Sequence, residues 1–115
     1  MHSLPIFVRL AGQPVILVGT GDAAAAKRRL LDRCGARPVD EAADARLAIV
    51  AVPDPVEAAA TIARLKARGI LVNAVDRPDD CDFTLPAIVD RSPLLVAIGT
   101  GGASAGLAKA LRQRL

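Results

Sequence analysis

Residues Val15-Ile16-Leu17-Val18 run straight into Gly19-Thr20-Gly21-Asp22-Ala23-Ala24, and this junction constrains the fold more than any other stretch of the chain. Four consecutive aliphatic residues without alternation suit a strand buried on both faces, as in parallel sheets. The G-x-G-x-x-A turn then opens a segment of helical period. From Asp22 to Cys34, the residues Ala23, Ala26, Leu30 and Cys34 share one face, leaving Lys27, Arg28, Arg29 and Asp32 to solvent. Gly35 stands where the residue after a helix end belongs. In a strand–turn–helix setting each small residue has a physical role. Gly19 makes the tight turn, Gly21 lets backbone approach a pyrophosphate, and Ala24 permits close helix–strand packing. Free N–H groups at the helix start, with the positive end of its dipole, supply an anion site. Gly19, Thr20, Gly21, Asp22 and Ala23 are therefore candidate cofactor-binding residues.

The alternation continues downstream. Leu47 to Val52 is a second buried run, and Asp54-Pro55-Val56-Glu57 reads as a helix start with Asp54 as N-cap, Pro55 at N1 and Glu57 at N3. That helix runs to about Arg68 and stops at Gly69. Ile70 to Val75 is the next strand, closed by the turn Arg77-Pro78-Asp79-Asp80. The order predicts an α/β fold, a Rossmann-like doubly wound parallel sheet, for residues 1–77. In residues 78–115, Leu85–Val89 and Leu94–Ile98 predict a hairpin, and Gly99-Thr100-Gly101-Gly102 leads into a last helix from Ser104 to Leu115. A segment this short buries little surface alone, so it is expected to pack on the sheet or on a second copy of the chain.

One β-α unit is trimmed. Asp40 and Glu41 lie at about the distance where an acid usually holds a ribose. However, Asp40 to Ala45 reads as one helical turn leading into the strand at Leu47. About seven residues between Val39 and that strand reach ~24 Å when extended, whereas a helical crossover takes a dozen or more residues. The adenosine side of the site is expected to be short.

Composition removes several classes of function. With 115 residues, 52% of them hydrophobic, and a mean hydropathy of +0.36, the chain is one ordered domain. No apolar run approaches the ~18 residues of a membrane span. Pro5 and Arg9 interrupt the start, which argues against a signal peptide. Two cysteines make no disulfide framework, so a reducing cytoplasm is expected. The charge is a mild +3 and the aromatics are limited to Phe7 and Phe83, so stacking platforms for nucleic acid are lacking. His2, a lone histidine near a terminus, supports no catalytic triad and reads as surface. Asp79-Asp80-Cys81-Asp82 reads as a solvated loop and not as a metal site. Cys34 reads as core, and Cys81 as a plain free thiol.

Several blocks together are more specific than the glycine turn. Leu4-Pro5-Ile6-Phe7, Val18-Gly19-Thr20-Gly21-Asp22 with Lys27, Asn73-Ala74-Val75-Asp76, Phe83 to Leu94, and Gly101-Gly102-Ala103-Ser104 with Leu107-Ala108 and Leu111-Arg112 occur in order. In this set the chain resembles the N-terminal module of the sirohaem synthase family, whose members are precorrin-2 dehydrogenases and often also sirohydrochlorin ferrochelatases. That family has an extra helix and strand after Val39, commonly a glycine at Thr20, and Ala-Thr-Asp where Ala51-Val52-Pro53-Asp54 stands here. Its C-terminal helical region and the methyltransferase domain of some members have no counterpart in the 115 residues.

The resemblance implies NAD-dependent oxidation of precorrin-2 to sirohydrochlorin by a homodimer, with Fe2+ insertion as a further step in bifunctional members. It implies a catalytic role for Asp76, cofactor contacts at Ala51 and Val52, and substrate contacts at Asn73. The residues agree on location, because Asp76 ends a buried strand where open α/β sheets bind ligands, and a carboxylate there can accept a proton. A polycarboxylate substrate needs cations and free amides: Arg91, together with Thr100, Gly101, Gly102 and Ser104 at the last helix start, can supply them. Lys109, Arg112 and Arg114 also read as a solvated helix end. The alternative is a tetrapyrrole- or nucleotide-binding dimer without chemistry, motivated by the short connection after Val39.

Overall fold

The computed structural model describes residues 1–102 and 105–115, and the chain forms two compact units, Phe7–Phe83 and Met1–Ile6 with Thr84–Leu115. In the first unit β1 (Pro14–Gly19), α1 (Gly21–Arg33), β2 (Arg37–Val39), β3 (Leu47–Ala51), α2 (Pro55–Ala67) and β4 (Leu71–Ala74) follow in chain order. The strands form one parallel sheet in the order β2-β1-β3-β4. β1 is thus interior, as its unalternated run predicts: Val15 and Ile16 are both fully buried although they point to opposite faces.

The two helices cover opposite faces. Ile16, Ala48, Val50, Val72 and Ala74 alternate onto the face where Ile62 and Leu65 of α2 pack. Their neighbours Val15, Ile49 and Ala51 point the other way, toward the side of α1, whose buried residues are Ala24 and Leu31. Burial of Ala24 fits its place as the small third position of the turn motif. The phase of α1 differs from the sequence reading, because Ala23, Ala26 and Cys34 are exposed. Alanines stand on both sides of this helix, so their period sets no phase. The bulky Leu31 does, and it carries Ala24 and a half-buried Lys27 with it.

The seven residues between β2 and β3 suffice because the two strands are staggered. Ile16 is the partner of Val39 on one side and of Ala48 on the other. The chain therefore moves only sideways, two strand spacings or about 10 Å, with no return along the sheet and no helix. A single turn, closed by Ala43 N–H donating to Asp40 O, makes the passage. Arg64 and Arg68 of α2 fasten it: the Arg64 guanidinium donates to both carboxylate oxygens of Glu41 at 2.7 and 3.2 Å, and Arg68 donates to the carbonyls of Glu41 and Ala43.

The β4 edge is closed by the chain's own return. After a turn of 3-10 helix at Pro78–Asp80, residues 81–83 run beside β4. The two outward amides of the strand, Val72 and Ala74, donate to the Asp82 carboxylate at 2.9 Å and to Cys81 Sγ at 3.2 Å. The acidic loop is therefore a structural edge cap and not the free solvated loop its composition suggests, and Cys81 packs against the core while Cys34 lies exposed.

In the second unit β5 (Ala87–Arg91) and β6 (Leu94–Ile98) pair antiparallel, with Arg91 opposite Leu94, and α3 (Ala105–Arg114) contacts both strands. The Ser92–Pro93 peptide is cis.

Candidate functional site

Three local structures meet at the C-terminal ends of β1, β3 and β4. The first is the glycine turn. Gly19 has φ +137°, and a Cβ built there would lie 2.0 Å from Ala51 O, so only glycine lets β1 approach β3 this closely. Gly21 has φ +87° and nothing within 4 Å of where its Cβ would be, so backbone there faces open space. Thr20 occupies the N-cap of α1 in extended conformation and its side chain makes no capping hydrogen bond. The first-turn amides of a thirteen-residue helix are thus not satisfied by their own N-cap and are accessible to an anion.

The second structure is the start of α2. Asp54 caps it, its Oδ2 accepting from Glu57 N–H at 3.0 Å, with Pro55 at the first helical position. The third is the end of β4. Val75 N–H still donates to Val50 O at 2.9 Å, after which Asp76 turns the chain with φ +61°. It is the one non-glycine residue with positive φ among the described residues. Aspartate tolerates this region better than most side chains, yet such backbone is uncommon and clusters at functional sites.

Between them lies a groove of about 380 Å³ lined by Thr20, Ala23, Ala51, Val52, Pro53, Pro55, Ala58, Val75, Asp76 and Arg77. The geometry brings together Thr20, Ala23, Ala51, Val52 and Asp76 of the residues singled out from sequence. Gly19 and Gly21 shape the turn behind the groove, and Asp22 is exposed in the first turn of α1. Asn73 is buried one residue before Ala74, and its Nδ2 donates to Phe83 O at 3.1 Å. Arg91, Thr100, Gly101 and Gly102 belong to the second unit: Arg91 is exposed, Gly101 lies against the His2 ring, and Ser104 falls outside the described residues.

Sequence reasoning passed over Arg77, Pro53 and Pro55. Arg77 is the cation of the groove lining, half-buried, with its Nε donating to Asp80 Oδ2 at 2.7 Å. Its signal was its place directly after Asp76 at a strand end. Among the described residues, no three or more His, Cys, Asp or Glu side chains gather where they could hold a metal ion.

A larger groove of about 680 Å³ lies at the opposite ends of the strands, lined by Val8, Leu10, Leu47 and Leu71 among others. Size does not decide between them. The smaller groove alone combines accessible helix amides with a strand-end carboxylate, which is the arrangement open α/β sheets use for ligands.

A family described as "Putative NAD(P)-binding" matches residues 38–87, which span β3, α2, β4 and Asp76. The siroheme synthase of Methylococcus capsulatus is 41% identical over 143 aligned positions, covering all of this chain. The chain is homologous to siroheme synthases. Siroheme synthase 2 of Aeromonas salmonicida is 38% identical over 141 positions, again with the whole chain covered. The chain spans about 30% of the length of these siroheme synthases. An alignment of 143 positions against 115 residues opens gaps totalling 28 positions in this chain, enough for a helix and a strand. A solved structure titled "SirC, precorrin-2 dehydrogenase" superposes with TM-score 0.75 at 21% identity, over 97% of this chain and 69% of that one. The parallel sheet with its flanking helices is therefore a Rossmann-like fold. Among the described residues no helix is long and apolar enough to cross a membrane.

Proposed function

We propose that this chain catalyses the NAD-dependent oxidation of precorrin-2 to sirohydrochlorin, the dehydrogenation step of sirohaem biosynthesis. The observation that carries the reading is the groove itself, where Asp76, in left-handed backbone at the end of β4, lines the same space as Thr20 and the α1 start. Homology to siroheme synthases and the NAD(P)-binding match support the choice of coenzyme and substrate.

NAD, held at the start of α1, would supply the hydride acceptor. The chain binds, orients and manages the proton. The amides opening α1 and the Thr20 hydroxyl hold the diphosphate, with Gly21 leaving room for it. Ala51, Val52 and Pro53 give the nicotinamide an apolar wall. Precorrin-2 gives up two hydrogens, one as hydride and one as proton. The Asp76 carboxylate takes the proton and passes it to water, so NADH and H+ are the balancing products. Arg77 offers the substrate carboxylates a cation. In the second unit, by itself, Arg91, Thr100, Gly101, Gly102 and Ser104 remain candidate substrate contacts on sequence grounds. In members that metallate, Fe2+ is a second substrate, and we propose that the same carboxylate takes up protons leaving the pyrrole nitrogens.

We propose further that the working unit is a homodimer. The second unit exposes Leu94 and Leu95 on opposite faces of its hairpin and Leu107 and Leu111 on its helix, apolar side chains a second copy can cover. The free thiols of Cys34 and Cys81 fit a cytoplasmic setting.

Anaerobic turnover of precorrin-2 with NAD tests the reading. The chain is expected to form NADH and sirohydrochlorin, and Asp76→Asn, which keeps a side chain tolerant of positive φ, to lose turnover by ~100-fold or more while binding coenzyme normally. Coenzyme binding with no NADH formed by the unaltered chain would favour the non-catalytic binding module instead.

A further inference from the structure

The register of β2 decides what the adenosine side of the coenzyme site can recognise. β3 stays paired with β1 as far as Gly19–Ala51, whereas β2 leaves β1 at Ile16–Val39. β2 thus stops three residues, or about 10 Å, below the glycine turn. In a dinucleotide fold the second strand carries an acid up to the ribose 2′-hydroxyl. Here the chain turns away before reaching that height.

Of the three acids that follow β2, Asp44 lines the groove at the opposite ends of the strands, and the other two are engaged elsewhere. Asp40 Oδ1 accepts from Ala42 N–H at 3.0 Å, inside its own turn. Glu41 is held by Arg64, six residues beyond the groove-lining Ala58 on α2 and so about 9 Å along the helix from the groove. Asp54 is occupied with its cap, Asp22 stands in the first turn of α1 and not at the end of β2, and Asp76 lines the groove on the β4 side of the sheet. Among the described residues no cation replaces the acid: Arg64 and Arg68 are spent on Glu41 and the crossover carbonyls, Arg77 pairs with Asp80, and the basic residues of α1 begin at Lys27, six residues or about 9 Å beyond Gly21.

We infer that this chain binds nicotinamide coenzymes without reading the adenosine 2′ position, so that NADH and NADPH bind with equal affinity. The inference rests on the coenzyme reading above and deepens it. At the end of β2, among the described residues, a 2′-hydroxyl finds no acid free to accept its proton, and a 2′-phosphate finds neither a free carboxylate to repel it nor a free arginine fork to hold it. Affinity comes from the diphosphate and nicotinamide, which the two coenzymes share.

The test is fluorescence titration of the full chain with NADH and with NADPH at physiological salt. The chain contains neither Trp nor Tyr, so reduced-nicotinamide emission is read with little protein background. Dissociation constants within fivefold of each other support the inference, and a difference of fivefold or more in either direction overturns it. Asp40→Ala is a second arm: NADH affinity within fivefold of the unaltered chain supports the inference, and a larger loss overturns it. Failure of both coenzymes to bind overturns the coenzyme reading underneath, which separates the two failures.

Discussion

Replacing Gly19 by alanine tests how β1 and β3 come together, and its cost can be worked from the structure. The added Cβ would sit 2.0 Å from Ala51 O and 2.4 Å from Ala51 C, backbone atoms that have no rotamer to escape into. Ordinary contact begins near 3.4 Å, so the strand ends must separate by about 1.4 Å. That shift disturbs the Gly19–Ala51 and Val18–Val50 pairs and the packing of Val50, which is 2% exposed. Overpacking of this kind costs about 1–3 kcal/mol, and a side chain in left-handed backbone adds about 1–2. A loss of roughly 2–5 kcal/mol is expected, against about 4–12 kcal/mol for a unit of this size. Gly21→Ala is the control, with the same conformational penalty and nothing to strike, at about 1–2 kcal/mol. Urea unfolding followed by far-ultraviolet circular dichroism reads both. The midpoint should fall by roughly 2 M for Gly19→Ala and by under about 1 M for Gly21→Ala. Equal midpoints for the two variants would show that the close approach is not what requires Gly19.

Other outcomes follow from single contacts. Asp82→Ala leaves the Val72 amide at the β4 edge without its acceptor and should cost about 1–3 kcal/mol in the same assay; an unchanged midpoint would mean the loop does not cap the edge. Hydrogen bonding from Arg64, aided by the charges of Arg64 and Arg68 and opposed by burial, holds the Glu41 carboxyl below the usual glutamate range. The pair therefore stabilises the fold above the unfolded glutamate value near ~4.3, and its contribution is lost as pH falls through the lowered folded value. Both side chains are partly exposed, so Glu41→Gln should lower stability by under about 1 kcal/mol at neutral pH. That deficit should vanish in strong acid, and a deficit that persists there would exclude the ion pair as its source. Asp54→Ala removes the α2 cap and should cost about 0.5–2 kcal/mol, checked by the same unfolding curves.

Much of this architecture was legible because local chemistry and global fold agree at the same residues. Val15 to Val18 had no polar alternation and became the doubly buried strand; Asp54-Pro55 capped and opened α2 as written; Asp76 fell at a strand end. What was not legible depended on partners distant in sequence. The face of α1 was misread because alanines dilute the period, and Leu31 fixes it only against the sheet. The crossover at residues 40–46 looked too short until the register showed Ile16 shared by both flanking strands. Cys81 and Asp82 looked idle because their partners, the amides of Ala74 and Val72, are exposed only by the edge position of β4. Arg77 was read as part of a turn, and only the fold shows that the turn borders a groove.

The location of the coenzyme can be read residue by residue by titrating uniformly 15N-labelled chain with oxidised NAD and following amide shifts. The structure predicts saturable shifts at Thr20, Gly21, Asp22, Ala23, Val52, Asp76 and Arg77, with Val8, Leu10, Leu47 and Leu71 at the other end of the strands unmoved. Shifts confined to that opposite end, or no saturable shifts at all, would contradict a diphosphate held at the start of α1 beside Asp76.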